Sequence, residues 1–140
     1  LCSFLCAVFL LMHANDRVVS YAIGGWQSPI GIEYRIDSFN AYVLCLISGI
    51  GCLSVLYAPS AISEVSSFNR PWFFSVMLLC MTGLMGMAAT GDAFNLFVFM
   101  EIASLSSYVL IALGKQREAL VAAYRYLIVG TMGATFYLLA

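Results

Sequence analysis

Residues 92–113 read DAFNLFVFMEIASLSSYVLIAL, an apolar run broken at its middle by a single carboxylate, Glu101. About 20 residues of this kind, at 1.5 Å rise each, cross a hydrocarbon layer of about 30 Å, so the run predicts a transmembrane helix. A carboxylate at bilayer depth costs several kcal/mol, roughly 2.5–3.5 on insertion scales. It is retained where it faces a bundle interior, a partner charge or a water path. The run therefore sets the fold class and marks Glu101 as the leading candidate functional residue.

Composition extends this reading to the whole chain. Of 140 residues, 63% are hydrophobic and 9% charged, and the mean hydropathy is +0.97. Soluble domains average about 45–50% apolar and 25% charged residues. The expectation is an all-α membrane protein, an antiparallel transmembrane helix bundle, multi-pass in the cell membrane. Six Lys/Arg against seven Asp/Glu leave a net charge of −1, so no basic face for nucleic acid is present. The five cysteines, Cys2, Cys6, Cys45, Cys52 and Cys80, lie in apolar segments without a CxxC or a nearby histidine. They read as small apolar packing residues, and no metal site or cofactor is expected.

Further spans are expected at about 38–58, 71–90 and 118–140, the last interrupted by Arg125. The opening stretch, about 1–12, is too short to span and lacks a basic leader and a small-residue cleavage site. It reads as the end of a truncated helix, and the chain as a fragment of one transmembrane domain. The links fall at 59–70, 91–92 and 114–117. Between the first two helices the period changes. Val19, Tyr21 and Ile23, then Ile30, Ile32, Tyr34 and Ile36, alternate with smaller or polar residues on either side of a Gly24-Gly25-Trp26-Gln27-Ser28-Pro29 turn. This predicts a β-hairpin over about 18–37, lying at the membrane surface with Trp26 and the tyrosines in the interfacial belt. Arg70, Lys115 and Arg117 fall on one side and Arg17 and Arg35 on the other. The balance favours the hairpin outside and the 115–117 loop in the cytoplasm. Ser48 with Cys52, Thr82 with Gly86 and Thr90, and Gly130 with Ala134 form small-xxx-small faces suited to helix packing.

On the Glu101 helix, Ser104 and Tyr108 lie three and seven residues on and share its face, while Leu96, Phe99, Ala103 and Leu110 lie opposite. The polar face is expected to be the protein-facing one, and the hydroxyls form a candidate polar relay that could hold water or pass a proton. Ser in a membrane helix also bonds its own backbone, which is the competing role. Glu101 lies about 13 Å deep from one surface, and Arg125 sits on the next, antiparallel helix within about one turn of the same depth. Arg125 is a candidate charge partner; its alternative is to snorkel to the headgroups beside Glu118. Burial raises a carboxylate's proton affinity and a nearby cation lowers it, so a movable pair of this kind is a switchable proton site. A static pair would only fix helix register. Asp92 and Asn95 fit a helix cap, and His13 is expected as a surface residue. No nucleophile-and-base pair, phosphate loop or haem-type histidine pair is present, so no catalytic residue is assigned.

The run Thr90-Gly91-Asp92-Ala93-Phe94-Asn95-Leu96-Phe97-Val98-Phe99-Met100-Glu101-Ile102, continued by Ser104-Leu105-Ser106-Ser107-Tyr108-Val109-Leu110, resembles the proton-antiporter membrane family. That family includes the large subunits of Mrp-type cation/proton antiporters and the antiporter-like subunits of respiratory complex I. Gly24-Gly25-Trp26 with Pro29-Ile30-Gly31-Ile32 and Asp37 looks like the MrpD branch of the Na⁺/H⁺ antiporters. The resemblance implies a bacterial or archaeal plasma-membrane subunit of a multi-subunit complex, exchanging protons for Na⁺ or another monovalent cation. When attached to a redox arm, as in a complex I-type oxidoreductase or membrane hydrogenase, it would pump protons instead. Glu101 falls on the family's essential glutamate. Arg125 stands where relatives often carry Lys, and Arg keeps its proton where Lys could release it, so a direct relay at 125 does not carry over. The reading of another class is a structural membrane protein without transport.

Overall fold

The computed structural model describes residues 2–13, 18–26, 31–61, 70–114 and 117–140. Among them five α-helices follow in order: α1 Cys2–His13, α2 Ser38–Ala61, α3 Arg70–Ala89, α4 Ala93–Ala112 and α5 Arg117–Leu139. Strands β1 Val19–Ala22 and β2 Glu33–Ile36 lie between α1 and α2. Helices α2 to α5 are long and apolar enough to cross a membrane. The chain is a multi-pass all-α membrane protein carrying one small hairpin.

Sequence neighbours pack as neighbours in space, α1 on α2, α2 on α3, α3 on α4 and α4 on α5. Small residues permit this. Ala7, Ala41, Ala58, Ala103, Ala123 and Ala134 are buried, while Phe39, Leu56, Phe94, Val129 and Phe136 point outward. In lipid, exposing large apolar side chains costs nothing, and association is governed by how closely backbones approach. Gly83 shows the limit: a Cβ there would meet the Ala103 backbone N at 2.7 Å.

Helix ends follow local polar chemistry. Asp37 precedes α2 and accepts the Asn40 N–H at 2.8 Å through Oδ1. Asp92 caps α4 by accepting the Asn95 N–H at 2.9 Å. Pro59 lies inside α2, which runs three residues past the expected end at 58. A proline near a helix terminus forfeits one hydrogen bond whose loss the last turn tolerates. His13 ends α1 on the surface, its Nδ1 3.0 Å from the Phe9 carbonyl and its ring 4.1 Å from the Phe9 ring.

The hairpin pairs Val19 with Ile36, Ser20 with Arg35, Tyr21 with Tyr34 and Ala22 with Glu33, antiparallel. The Ile23 N–H continues the ladder to the Ile32 carbonyl at 2.9 Å. Gly24 and Gly25 start the reversal at φ 69° and 77°, values that favour glycine. The strands are four residues each, shorter than the alternation suggested, because the chain turns off at these glycines. Residues 27–30 of the expected turn, 62–69 of the second link and 115–116 of the last link lie outside the described residues.

Candidate functional site

Two neighbours frame α4. On one side α3 presses Gly83 and Gly86 against Ala103 and Phe99. Cys80 Sγ lies 3.4 Å from the Ser107 hydroxyl and 3.8 Å from the Ala103 carbonyl. On the other side α5 stacks Tyr137 on Phe97, centroids 6.2 Å apart. The Tyr137 hydroxyl donates to the Ala93 carbonyl at 3.2 Å. Tyr108 lies against Gly130, whose lack of a side chain makes room for the phenol.

At about 100° of rotation per residue, Glu101 falls at the edge of the α5-facing side, opposite the face that α3 covers. It is half-buried, as are Ser104 and Tyr108. Beyond it runs an uncovered apolar stripe, Phe94, Val98, Leu105 and Val109. The side of α4 that carries Glu101, Ser104 and Tyr108 borders α5, with Tyr108 against Gly130. The buried residues of α4 are Asn95, Ala103 and Ser106, away from Glu101. Close packing here selects small side chains, whichever face carries the polar ones.

Ser104 and Tyr108 share the Glu101 side as the spacing required, but none of the three makes a side-chain hydrogen bond or ion pair among the described residues. Ser106 and Ser107 bond backward to the carbonyls of Ile102 and Ala103 at 2.6 and 2.8 Å, the behaviour expected of serine in a membrane helix.

By helical spacing, Arg125 lies on the face of α5 opposite the buried Ala123 and Ala134 and away from Gly130, which meets Tyr108 of α4. Its side chain is exposed and lines an open cavity of about 700 Å³ with Arg117, Glu118, Val121, Ala122 and Tyr126. No ion pair joins it to Glu101 among the described residues. Similar depth therefore does not bring the two charges together within this arrangement, because they lie on different sides of α5. Arg125 and Glu118 line the same open face of α5.

Sequence reasoning missed the structure at the start of α4. The Thr90 hydroxyl oxygen accepts the Asn95 Nδ2–H at 3.0 Å and the Asp92 N–H at 3.3 Å. The Gly91 N–H donates to the Glu33 carbonyl at 2.9 Å, and Tyr34 forms a β-bridge with Thr90. The hairpin is thus joined directly to the link that leads into the Glu101 helix. The capping signature at Asp92 and Asn95 was the one visible trace. Under the hairpin, Tyr21, Tyr34, Leu44, Met85 and Phe99 line a mostly apolar cavity of about 470 Å³ that does not include Glu101. No cluster of three or more His, Cys, Asp or Glu residues among those described could hold a metal ion.

No family model matches the chain. It is similar to NADH-quinone oxidoreductase subunit N of Desulforudis audaxviator, 44% identical over 119 residues, covering 85% of this chain and 24% of that protein. It is 33% identical over 131 residues to the putative antiporter subunit mnhD2 of Staphylococcus epidermidis, covering 93% of this chain and 26% of that one. Among solved structures it superposes on a chain of the membrane-bound sulfane sulfur reductase, an archaeal respiratory membrane complex. The TM-score is 0.89 at 34% identity, over 99% of this chain and 28% of that one. A chain of the Mrp complex from Dietzia superposes with a TM-score of 0.84 at 27% identity, over 96% of this chain and 25% of that one. The chain spans about a quarter of the length of the curated relatives it matches.

Proposed function

We infer that this chain, a relative of antiporter-type membrane subunits, forms part of an ion-translocating subunit in which Glu101 binds and releases protons. The observation that carries the reading is the carboxylate itself. Glu101 is half-buried eight residues into α4, about 12 Å from the helix start. It has no counter-charge among the described residues and borders an uncovered apolar stripe. A lone acid at that depth persists where it serves transport, because a merely structural position would be filled more cheaply by an apolar residue. Ser104 and Tyr108 on the same side supply hydroxyls through which water could link Glu101 along the helix.

The exchange reading follows the likeness to the antiporter subunit and to the Mrp complex. Protons move against Na⁺ or another monovalent cation in a bacterial or archaeal plasma membrane, together with the other subunits of an antiporter complex. A second reading is supported by the higher identity to the oxidoreductase subunit and by the fit to the respiratory complex. Here the same glutamate pumps protons driven by a redox partner. A purely structural role built on a Glu101–Arg125 pair draws no support from the present arrangement.

The test measures proton flux in vesicles holding the assembled complex that contains this chain, wild type against Glu101→Gln at matched assembly. Gln keeps the size and removes the titrating proton. Loss of flux is expected, and unchanged flux at normal assembly would overturn the proton role. Flux that responds to a cation gradient without an electron donor supports exchange; flux that requires a reductant supports redox-driven pumping.

A further inference from the structure

Helix α4 is held far more firmly at its first turn than at its carboxylate. Thr90 lies at the centre of a polar knot. Its Oγ1 accepts from the Asn95 side chain and the Asp92 N–H, its hydroxyl lies 3.4 Å from the Asp92 carbonyl, and the Asp92 carboxylate accepts the Asn95 N–H. Three neighbouring elements close on this knot. The Thr90 N–H continues the α3 ladder to Gly86 at 3.0 Å, the Gly91 N–H reaches β2 at Glu33, and Tyr137 of α5 reaches the Ala93 carbonyl. Asn95 is only 7% exposed. Its amide ties the first turn of α4 back to Thr90, the residue that follows α3.

We propose that Thr90 and Asn95 are positioning residues for Glu101. The bond between their side chains sets the height and rotation of α4, and with them the side of the bundle on which the carboxylate stands. A slip of one residue would carry Glu101 about 1.5 Å along the axis and about 100° around it, off the α5 border. The Gly83 and Gly86 contacts of α3 with Ala103 and Phe99 of α4 are apolar and resist rotation through shape, and the Cys80 thiol 3.4 Å from the Ser107 hydroxyl adds only a weak polar contact on that face. The Thr90–Asn95 bond has a fixed length and direction, so it defines the axial register that shape leaves loose. This inference rests on the proton reading of Glu101 but is testable apart from it.

The experiment uses the assembled complex in vesicles with Thr90→Val, Thr90→Ser, Asn95→Leu and Glu101→Gln. Two quantities are read: cation-dependent or reductant-dependent proton flux, and the rate at which a hydrophobic carbodiimide labels Glu101, followed by mass spectrometry of its peptide. Thr90→Val at matched assembly is expected to lower the maximal rate roughly ten- to a hundredfold, the scale of misplacing a working group by about 1 Å. The half-saturating substrate concentration should stay unchanged, the labelling rate at Glu101 should change, and Thr90→Ser should restore both quantities. Asn95→Leu should reproduce the loss and serves if Thr90→Val fails to assemble. A wild-type rate and wild-type labelling in either assembled variant, while Glu101→Gln abolishes flux, would overturn the positioning role and leave the proton reading standing. Flux retained in Glu101→Gln would overturn the proton reading; the labelling comparison would then still decide whether Thr90 and Asn95 set the carboxylate's place.

Discussion

Glu101 was legible as a candidate because one charge in an apolar run of membrane-spanning length needs no structural information to stand out. Its surroundings were not, since sequence gives the angle between residues on one helix but not which neighbour covers which angle. Arg125 illustrates the difference. Its depth could be counted along α5, yet its azimuth places it with Glu118, across α5 from Glu101. The effects of Glu101→Gln and Arg125→Gln on stability in detergent should therefore add independently in a double-mutant cycle, and a coupling beyond about 0.5 kcal/mol would show contact between them. Gly83 supports a second prediction at this scale. An added methyl would crowd the Ala103 backbone N at 2.7 Å and its Cα at 2.9 Å. Gly83→Ala should destabilise the α3–α4 pair by about 1–3 kcal/mol, read as a lowered Tm in detergent.

The elements were legible to the degree that each carried its own period. Apolar runs of spanning length became α2 to α5, and alternation on either side of Gly24 and Gly25 became β1 and β2. Boundaries followed hydrogen bonds that pattern does not reveal: α2 passes through Pro59, and each strand is limited to four residues. The docking of β2 on the 90–92 link was invisible because it is a backbone contact between segments far apart in the chain, made by no particular side-chain type. Two outcomes belong here. Asp92→Ala should cost about 1 kcal/mol through loss of the α4 cap, measurable by chemical unfolding. Gly91→Val should press on Arg35 Cβ, which lies 3.0 Å from the position of a Cβ at Gly91, and loosen the hairpin from the bundle. Faster amide hydrogen exchange at Glu33–Ile36, with α4 protection unchanged beyond its first turn, is the expected signature.

Over the whole molecule the apolar surface is turned outward and the small residues inward, an arrangement that composition implied and the burial of alanines made concrete. Sidedness follows from the ends of the helices. The hairpin, the start of α2 and the start of α4 share one surface, and Gly114 lies at the other. With native cysteines removed, Ser20→Cys should react with an impermeant maleimide from outside intact cells, and Gly114→Cys only after permeabilisation; the reverse pattern would invert the topology. The 90–92 link has a further consequence, for biogenesis. Three residues span about 10 Å at full extension, so α3 and α4 form a tight helical hairpin suited to entering the bilayer as one unit. The carboxylate's insertion penalty is then borne by two apolar spans at once. A cell can thus install an acid at mid-membrane that a solitary helix would hold with less margin.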